Sequence, residues 1–209
     1  MTEIYFVTGT DTNIGKTTAC VELLKKATID NKSAIGLKPI ATGCFSKNNQ
    51  LYNSDALLLQ EHSNININYD EVNPYRFKQP VSPHLVNTNN IITAKDIVIH
   101  CLDIINKYQP DLCYIEGAGG WLCPLNNNET FADIAKILSV PIILVIGIKL
   151  GCFNHCILTY KEILNSNLKL HGWIANHVDP EAHFFAKQNI DYLLKKTHEP
   201  LLFNIEWSA

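Results

Sequence analysis

Apolar and polar positions along the chain fall into blocks of two alternating periods. Residues 4–8 are a short apolar run closed by Gly9, the pattern of a buried strand. Over residues 16–29, Cys20, Leu23, Leu24 and Ala27 recur on one helical face. Residues 33–38 form a second candidate strand, closed by Pro39, and residues 43–53 are polar and loop-like. Residues 55–60 predict a short helix that Asn53 or Ser54 can cap. Pro74, Pro80 and Pro83 mark an irregular stretch, after which residues 93–107 are again helical. Residues 112–115 are a strand ending in Glu116, and residues 130–138 are a helix. Residues 141–148 are unbroken apolar, which suits a strand buried on both faces of a parallel sheet. A helix over 153–164, a strand over 170–176, a helix over 182–196 and a last strand over 201–205 complete the series. Strands alternating with helices predict right-handed βαβ units and a doubly wound, mainly parallel α/β sheet in one domain spanning residues 1–209.

Composition changes this picture little. A net charge of −3 lacks the basic patch that general nucleic-acid binding requires. No apolar run reaches the length of a transmembrane helix. The first residues lack the basic segment and long apolar stretch of a secretory signal. Seven Cys without a Cys-x-x-Cys pair suggest reduced thiols and a cytoplasmic protein. Cys152 and Cys156 flank His155 at helical spacing, a pattern read here as buried thiols rather than a metal site. The abundance of Asn and Lys reads as codon bias. It still has a consequence: Arg76 is the one arginine, so an anion site within one chain must be built mainly from Lys and backbone N–H groups.

The strongest chemical signal is Thr8-Gly9-Thr10-Asp11-Thr12-Asn13-Ile14-Gly15-Lys16-Thr17-Thr18, set between a strand and a helix as a phosphate-binding loop requires. The standard pattern places Gly six positions before the Lys, where Thr10 stands, so the match is imperfect. Backbone N–H groups of Asn13, Ile14, Gly15 and Thr18 would cradle phosphates, Lys16 would reach the β/γ groups, and Thr17 would ligate Mg²⁺. Glu116, at the end of a strand, supplies a carboxylate where α/β ligand sites form, and Gly119 follows it in a turn where backbone can approach a ligand. Asp55 reads either as a further Mg²⁺ partner or as a helix cap. Lys38 reads either as a solvated charge outside the core or as a second phosphate-facing cation.

Taken together, these segments resemble the dethiobiotin synthetase family. The match runs through Tyr5 to Thr12 and Gly15-Lys16-Thr17, Lys38 to Gly43, Asn53 to Leu57, Val72 to Tyr75 and Ser82-Pro83-His84. It continues in Glu116 to Trp121, Lys149 to Cys152 with Asn154-His155, and Gly172-Trp173 with Asn176. The resemblance implies a P-loop NTPase fold and an ATP- and Mg²⁺-dependent reaction. CO₂ carboxylates 7,8-diaminononanoate, ATP phosphorylates the carbamate, and the second amine closes the ring to dethiobiotin, releasing ADP and phosphate. It implies that Lys16, Lys38 and Thr12 are catalytic, and that Thr42 and Ser82 bind substrate. It further implies that Thr17, Asp55 and Glu116 hold Mg²⁺ and that Asn176 reads the adenine edge. A homodimer is implied as well, in which the substrate tail reaches Gly151 and Asn154 of the partner subunit.

This sequence departs from the family pattern at Asn13, where an acidic residue is common, and at Thr42, where Ser is usual. Glu206 stands where Pro commonly precedes the Trp, and the chain ends at Ala209, from which a thinner adenosine end and modest base discrimination are expected. Two alternatives are a partition-type ATPase switch and a non-catalytic nucleotide-binding module. Against the first, Asp11 stands where such switches carry an extra loop Lys. A third, an amidoligase with an added glutaminase domain, does not fit 209 residues.

Overall fold

In a computed structural model that describes residues 1–180 and 182–207, the chain passes through strands and helices in near-regular alternation. The first half contains β1 (Glu3–Gly9), α1 (Lys16–Ile29), β2 (Ala34–Leu37), β3 (Ile40–Ala41), β4 (Phe45–Lys47), β5 (Gln50–Tyr52), α2 (Ser54–His62), α3 (Tyr69–Val72) and β6 (Tyr75–Arg76). The second contains α4 (Ala94–Tyr108), β7 (Leu112–Glu116), α5 (Phe131–Leu138), β8 (Ile142–Ile148), α6 (Cys152–Asn165), β9 (Leu170–His177), α7 (Ala186–Lys196) and β10 (Leu201–Ile205). Six strands form one parallel sheet in the order β10-β9-β8-β1-β7-β2, with helices against it. This is the doubly wound α/β class that the sequence pattern implies. β2, β7 and β8 are buried along their whole lengths, which is why they read as continuous apolar runs without alternation.

The order of strands fixes where a ligand can bind. The chain leaves β1 through α1 to β2 on one side, and returns through β7 and α5 to β8 on the other. β1 is therefore the point where the winding reverses, and the crevice outside its carboxyl end is the natural ligand position. Local signals start the flanking helices as expected. Asn53 Oδ1 accepts from Ala56 N at 3.2 Å to cap α2, which leaves Asp55 out of the cap. Thr93 and Asp96 close a reciprocal capping box on α4, and Thr130 and Asp133 do the same on α5.

Two expectations need correction. Residues 43–53 are not simply a loop, because β4 and β5 pair there as an antiparallel hairpin. Its turn residues Asn48 and Asn49 both have positive φ, 52° and 59°, as a primed two-residue turn demands. Asn is the residue other than Gly that enters this region at least cost. Asn13, Asn31, Asn89, Asn90 and Asn167 also occupy it, so part of the Asn richness has a conformational use. The helix expected over 182–196 begins as a 3₁₀ turn and becomes α-helical only at Ala186. The cysteines at 152 and 156 are buried free thiols beside an exposed His155. Ala209, on which the expectation of a thinner adenosine end rests, lies outside the described residues.

One core contact ties the sheet to the phosphate loop. Ile14, at the loop's apex, is fully buried. It fits because two strand positions beneath it lack a side chain. A Cβ on Gly9 would lie 2.5 Å from Ile14 Cδ1, and one on Gly147 would lie 2.7 Å from Ile14 Cγ2 and 2.9 Å from its Cβ. The second contact is close to the main chain, so the loop itself would have to lift. Gly147→Ala is expected to lower the unfolding free energy by about 1–3 kcal/mol through overpacking, read as a reduced midpoint in urea; an unchanged midpoint would show that the loop is not seated by this contact.

Candidate active site

The loop between β1 and α1 is shaped by backbone geometry before any side chain acts. Asn13 and Gly15 take positive φ, 55° and 78°, which turns the chain over the end of β1 and into the first turn of α1. At Gly15 a Cβ would lie 2.0 Å from Asn176 Nδ2, so a side chain there would push that amide out of place, and the φ of 78° would add strain. Asn176, at the end of β9, donates from that nitrogen to Ile14 O at 2.8 Å. The register that pairs Gly147 with Asn176 brings the amide beneath the loop. On the other flank, Asp11 Oδ1 accepts from Thr12 N at 2.7 Å and Asp11 Oδ2 meets Lys149 Nζ at 3.0 Å. The loop is thus held from below by Ile14 and Asn176, and from the side by Lys149.

The second cluster follows from the register of β2 against β7. Leu37 pairs with Ile115, so the next residues, Lys38 just past β2 and Glu116 at the end of β7, lie side by side at the carboxyl edge of the sheet. Lys38 Nζ lies 2.5 Å from Glu116 Oε1 and 3.4 Å from Asp55 Oδ2. Thr17, in the first turn of α1, donates from Oγ1 to the same Glu116 oxygen at 3.0 Å. Lys38 is 5% exposed and Glu116 1%. The expectation that Lys38 lies outside the core is therefore wrong. A lysine after a strand usually reaches water, but here the backbone of Lys38 is locked. Its N–H donates to Val72 O at 3.0 Å, and its carbonyl accepts from the buried Asn73 amide at 2.6 Å.

These groups line one cavity of about 600 Å³, within the usual size of small-molecule sites. Thr12, Asn13, Gly15, Lys16, Thr17 and Thr18 border it from the loop, and Lys38, Thr42, Asp55, Ser82, Glu116 and Gly119 border it from the other elements. Four residues singled out in the sequence do not line it. Ile14 points into the core, Asn176 lies under the loop, and Gly151 and exposed Asn154 begin α6. Several lining residues were not singled out as site residues in the sequence, although Ala41 and Pro83 lie in the family-like segments. Ala41, Leu58, Pro80, Val81 and Pro83 give an apolar wall, assembled from segments whose pairing no local pattern announces. Cys123 also borders the cavity, with Sγ 3.5 Å from Ser82 Oγ, and His84 Nδ1 lies 3.0 Å from that same hydroxyl.

The electrostatics favour an anionic ligand close to a metal. Burial pulls the Lys16 ammonium down to about 8, Lys38 adds to this by repulsion, and Glu116 and Asp55 oppose it. Burial also acts to lower Lys38, but Glu116 and Asp55 outweigh it and hold Lys38 above its ordinary value. Lys16 Nζ, for its part, donates to Asp11 O at 2.9 Å. Glu116 Oε2 is buried with no hydrogen-bond partner, so the carboxylate keeps one oxygen for a further cation. Thr17 and Asp55 supply the hard oxygens beside it, a donor set that suits Mg²⁺ completed by phosphate and water. Among the described residues no three His, Cys, Asp or Glu side chains cluster as a metal cage. No described helix is long and apolar enough to cross a membrane.

The sequence matches the family model described as an AAA domain over residues 3–209. It is 41% identical over 212 residues to ATP-dependent dethiobiotin synthetase BioD 1 of Escherichia coli strain K12, covering 100% of this chain and 92% of that protein. It is 39% identical over 200 residues to the BioD of Cellvibrio japonicus strain Ueda107, covering 95% and 86%. Among solved structures it is similar to the MinD cell division protein of Aquifex aeolicus, with a TM-score of 0.60, 12% identity and coverage of 98% and 83%. It is also similar to a ParA family ATPase of Chlorobium tepidum TLS, with a TM-score of 0.59, 9% identity and coverage of 100% and 86%. At such identities the structural likenesses speak to the fold.

The Lys16 environment makes phosphate binding depend on pH. Below about 8 the free protein presents a charged Lys16; above it, binding a polyphosphate must also take up a proton. ATP affinity measured by calorimetry is expected to be level below that pH and to weaken by up to about tenfold per pH unit above it, with matching proton uptake. Constant affinity up to pH 9.5 would remove Lys16 from phosphate binding.

Proposed function

The chain belongs to the ATP-dependent dethiobiotin synthetase family, enzymes of the ligase class, and on that premise we propose that it carboxylates and cyclises 7,8-diaminononanoate at the cavity between the phosphate loop, β2 and β7. The observation that carries this reading is the convergence of Lys16, Lys38, Glu116 and Thr17 on one cavity that also has an apolar wall. A phosphate-handling end and an alkyl-tolerant end are what a diamine on a hydrocarbon chain and a nucleotide need together.

In the proposed reaction one amine, in its neutral form, adds to CO₂ and gives up its proton, leaving a carbamate anion. Thr12, Thr42 and Lys38 bind that anion. A carbamate oxygen attacks the γ-phosphorus of ATP, and the bond to the β-phosphate oxygen breaks with ADP as leaving group. Lys16, the N–H groups of Asn13, Ile14, Gly15 and Thr18, and the turn at Gly119 bind the phosphates. Positioning and charge neutralisation supply most of the acceleration in such a transfer. Thr17, Asp55 and Glu116 hold Mg²⁺, which when bound neutralises charge on the phosphate oxygens. The second amine then attacks the carbonyl carbon of the carbamic–phosphoric anhydride, the C–O bond breaks, and phosphate departs as the ring closes. Ser82 lines the diamine end. Asn176 reads the adenine edge with its carbonyl and its remaining N–H, so base recognition and loop position share one amide.

The protein acts as a homodimer in this reading. The substrate's carboxylate reaches the N–H groups at Gly151 and the side chain of Asn154 of a second copy. Its support is the openness of that corner, where Asn154 is exposed and Leu150 is 97% exposed. Seven free thiols fit a cytoplasmic setting.

ADP release tests the function directly. With Mg²⁺, bicarbonate, ATP and the diamine all present, turnover is expected, and omission of any one is expected to reduce it at least about a hundredfold. ATP hydrolysis indifferent to the diamine would instead favour a partition-type switch, and nucleotide binding without turnover a non-catalytic module.

A further inference from the structure

We propose that the Lys38 ammonium is a resident stand-in for the metal ion, and that a divalent cation entering the site moves it off the carboxylates and frees it for the substrate anion. The inference rests on the reading of Thr17, Asp55 and Glu116 as the metal ligands and adds a role for Lys38 toward them. Lys38 Nζ stands between the two carboxylates, 2.5 Å from Glu116 Oε1 and 3.4 Å from Asp55 Oδ2. Thr17 Oγ1 is spent on that same Glu116 oxygen, at 3.0 Å. Both carboxylates therefore already gather around one positive charge, with Thr17 bonded to one of them, and a divalent ion bound by both carboxylates competes with the ammonium for them. Two cations on one carboxylate pair repel, most strongly at Glu116, which is buried while Asp55 is partly exposed.

The same geometry gives the ion a way in and the lysine a way out. Glu116 Oε2 is buried without a partner, so it can capture the ion before the ammonium leaves Oε1. The main chain of Lys38 is fastened at both its N–H and its carbonyl, to Val72 O and the Asn73 amide, which leaves only the flexible four-carbon stem to move. That stem borders the cavity, on which Thr42 also lies. Lys16 cannot substitute in the same exchange without giving up its bond to Asp11 O. Without metal, Lys38 is paired with two carboxylates and is withheld from substrate; with metal, it is delivered.

Nucleotide-free Mn²⁺ binding, followed by electron paramagnetic resonance, tests this in the whole 209-residue chain. Lys38→Met removes the competing charge and is expected to bind Mn²⁺ at least tenfold tighter than the unmutated chain. Equal or weaker binding by a folded Lys38→Met would overturn the exchange, since Lys38 would then be neutral toward the ion or helpful to it. Glu116→Gln separates the two levels of the argument: it is expected to lose tight Mn²⁺ binding, and unchanged binding would reject the metal ligand set itself. Because Lys38→Met can lose its fold, the unmutated protein gives a second reading. With ¹⁵N-labelled lysine, the slowly exchanging ammonium resonance of the buried pair is expected to vanish or shift as Mg²⁺ saturates the site. A paired-ammonium signal that persists unchanged at saturating Mg²⁺ would overturn the proposal.

Discussion

Lys38 and Glu116 meet where the carboxyl ends of β2 and β7 leave the sheet, at 5% and 1% exposure, and neither charge tolerates that burial alone. Removing one partner of such a pair commonly costs about 3–5 kcal/mol, because the other is left charged in a poorly solvated place. The pair therefore constrains what surrounds it. Thr17 must begin α1 within reach of Glu116, Asp55 must stay out of its own helix cap, and Asn73 must hold the Lys38 carbonyl. The charged groups of the cavity and fold stability share the same atoms, so the site cannot be altered without cost to the sheet edge.

The phosphate loop depends on a different kind of constraint, one of space rather than charge. Ile14 is buried only because Gly9 and Gly147 leave room beneath it, and Gly15 passes over Asn176 only because it has no Cβ. The loop is thereby held at its apex while Thr12, Asn13, Gly15 and Lys16 border the cavity. Its flank is set by Asp11 and Lys149 at 3.0 Å, partly exposed and so a matter of orientation more than of stability.

Much of this was legible along the chain. The continuous apolar runs of β7 and β8, the loop before α1 and the carboxylate at the end of β7 identify the sheet, its direction and the corner where the cavity opens, because each depends on local pattern. The burial of Lys38 was not legible, since it depends on β2 lying beside β7 and on Asn73 returning from a distant segment. The hairpin at β4 and β5 was hidden for another reason. Its strands are three residues each and half polar, and its Asn-Asn turn looks like compositional bias until both φ angles are found positive. The apolar wall formed by Leu58, Pro80 and Val81 is likewise a product of tertiary assembly.

The chemistry proposed for this cavity predicts that an oxygen of carbon dioxide ends in inorganic phosphate. It becomes the carbamate oxygen that attacks phosphorus, and it stays on phosphorus when the ring closes. The most direct measurement is therefore a rapid-quench reaction with ¹⁸O-labelled carbon dioxide, unlabelled water, ATP and the diamine, with the phosphate analysed by mass spectrometry. One ¹⁸O per released phosphate, appearing in step with the cyclic urea, is the expected result. Unlabelled phosphate at times too short for carbon dioxide to exchange with water would contradict it.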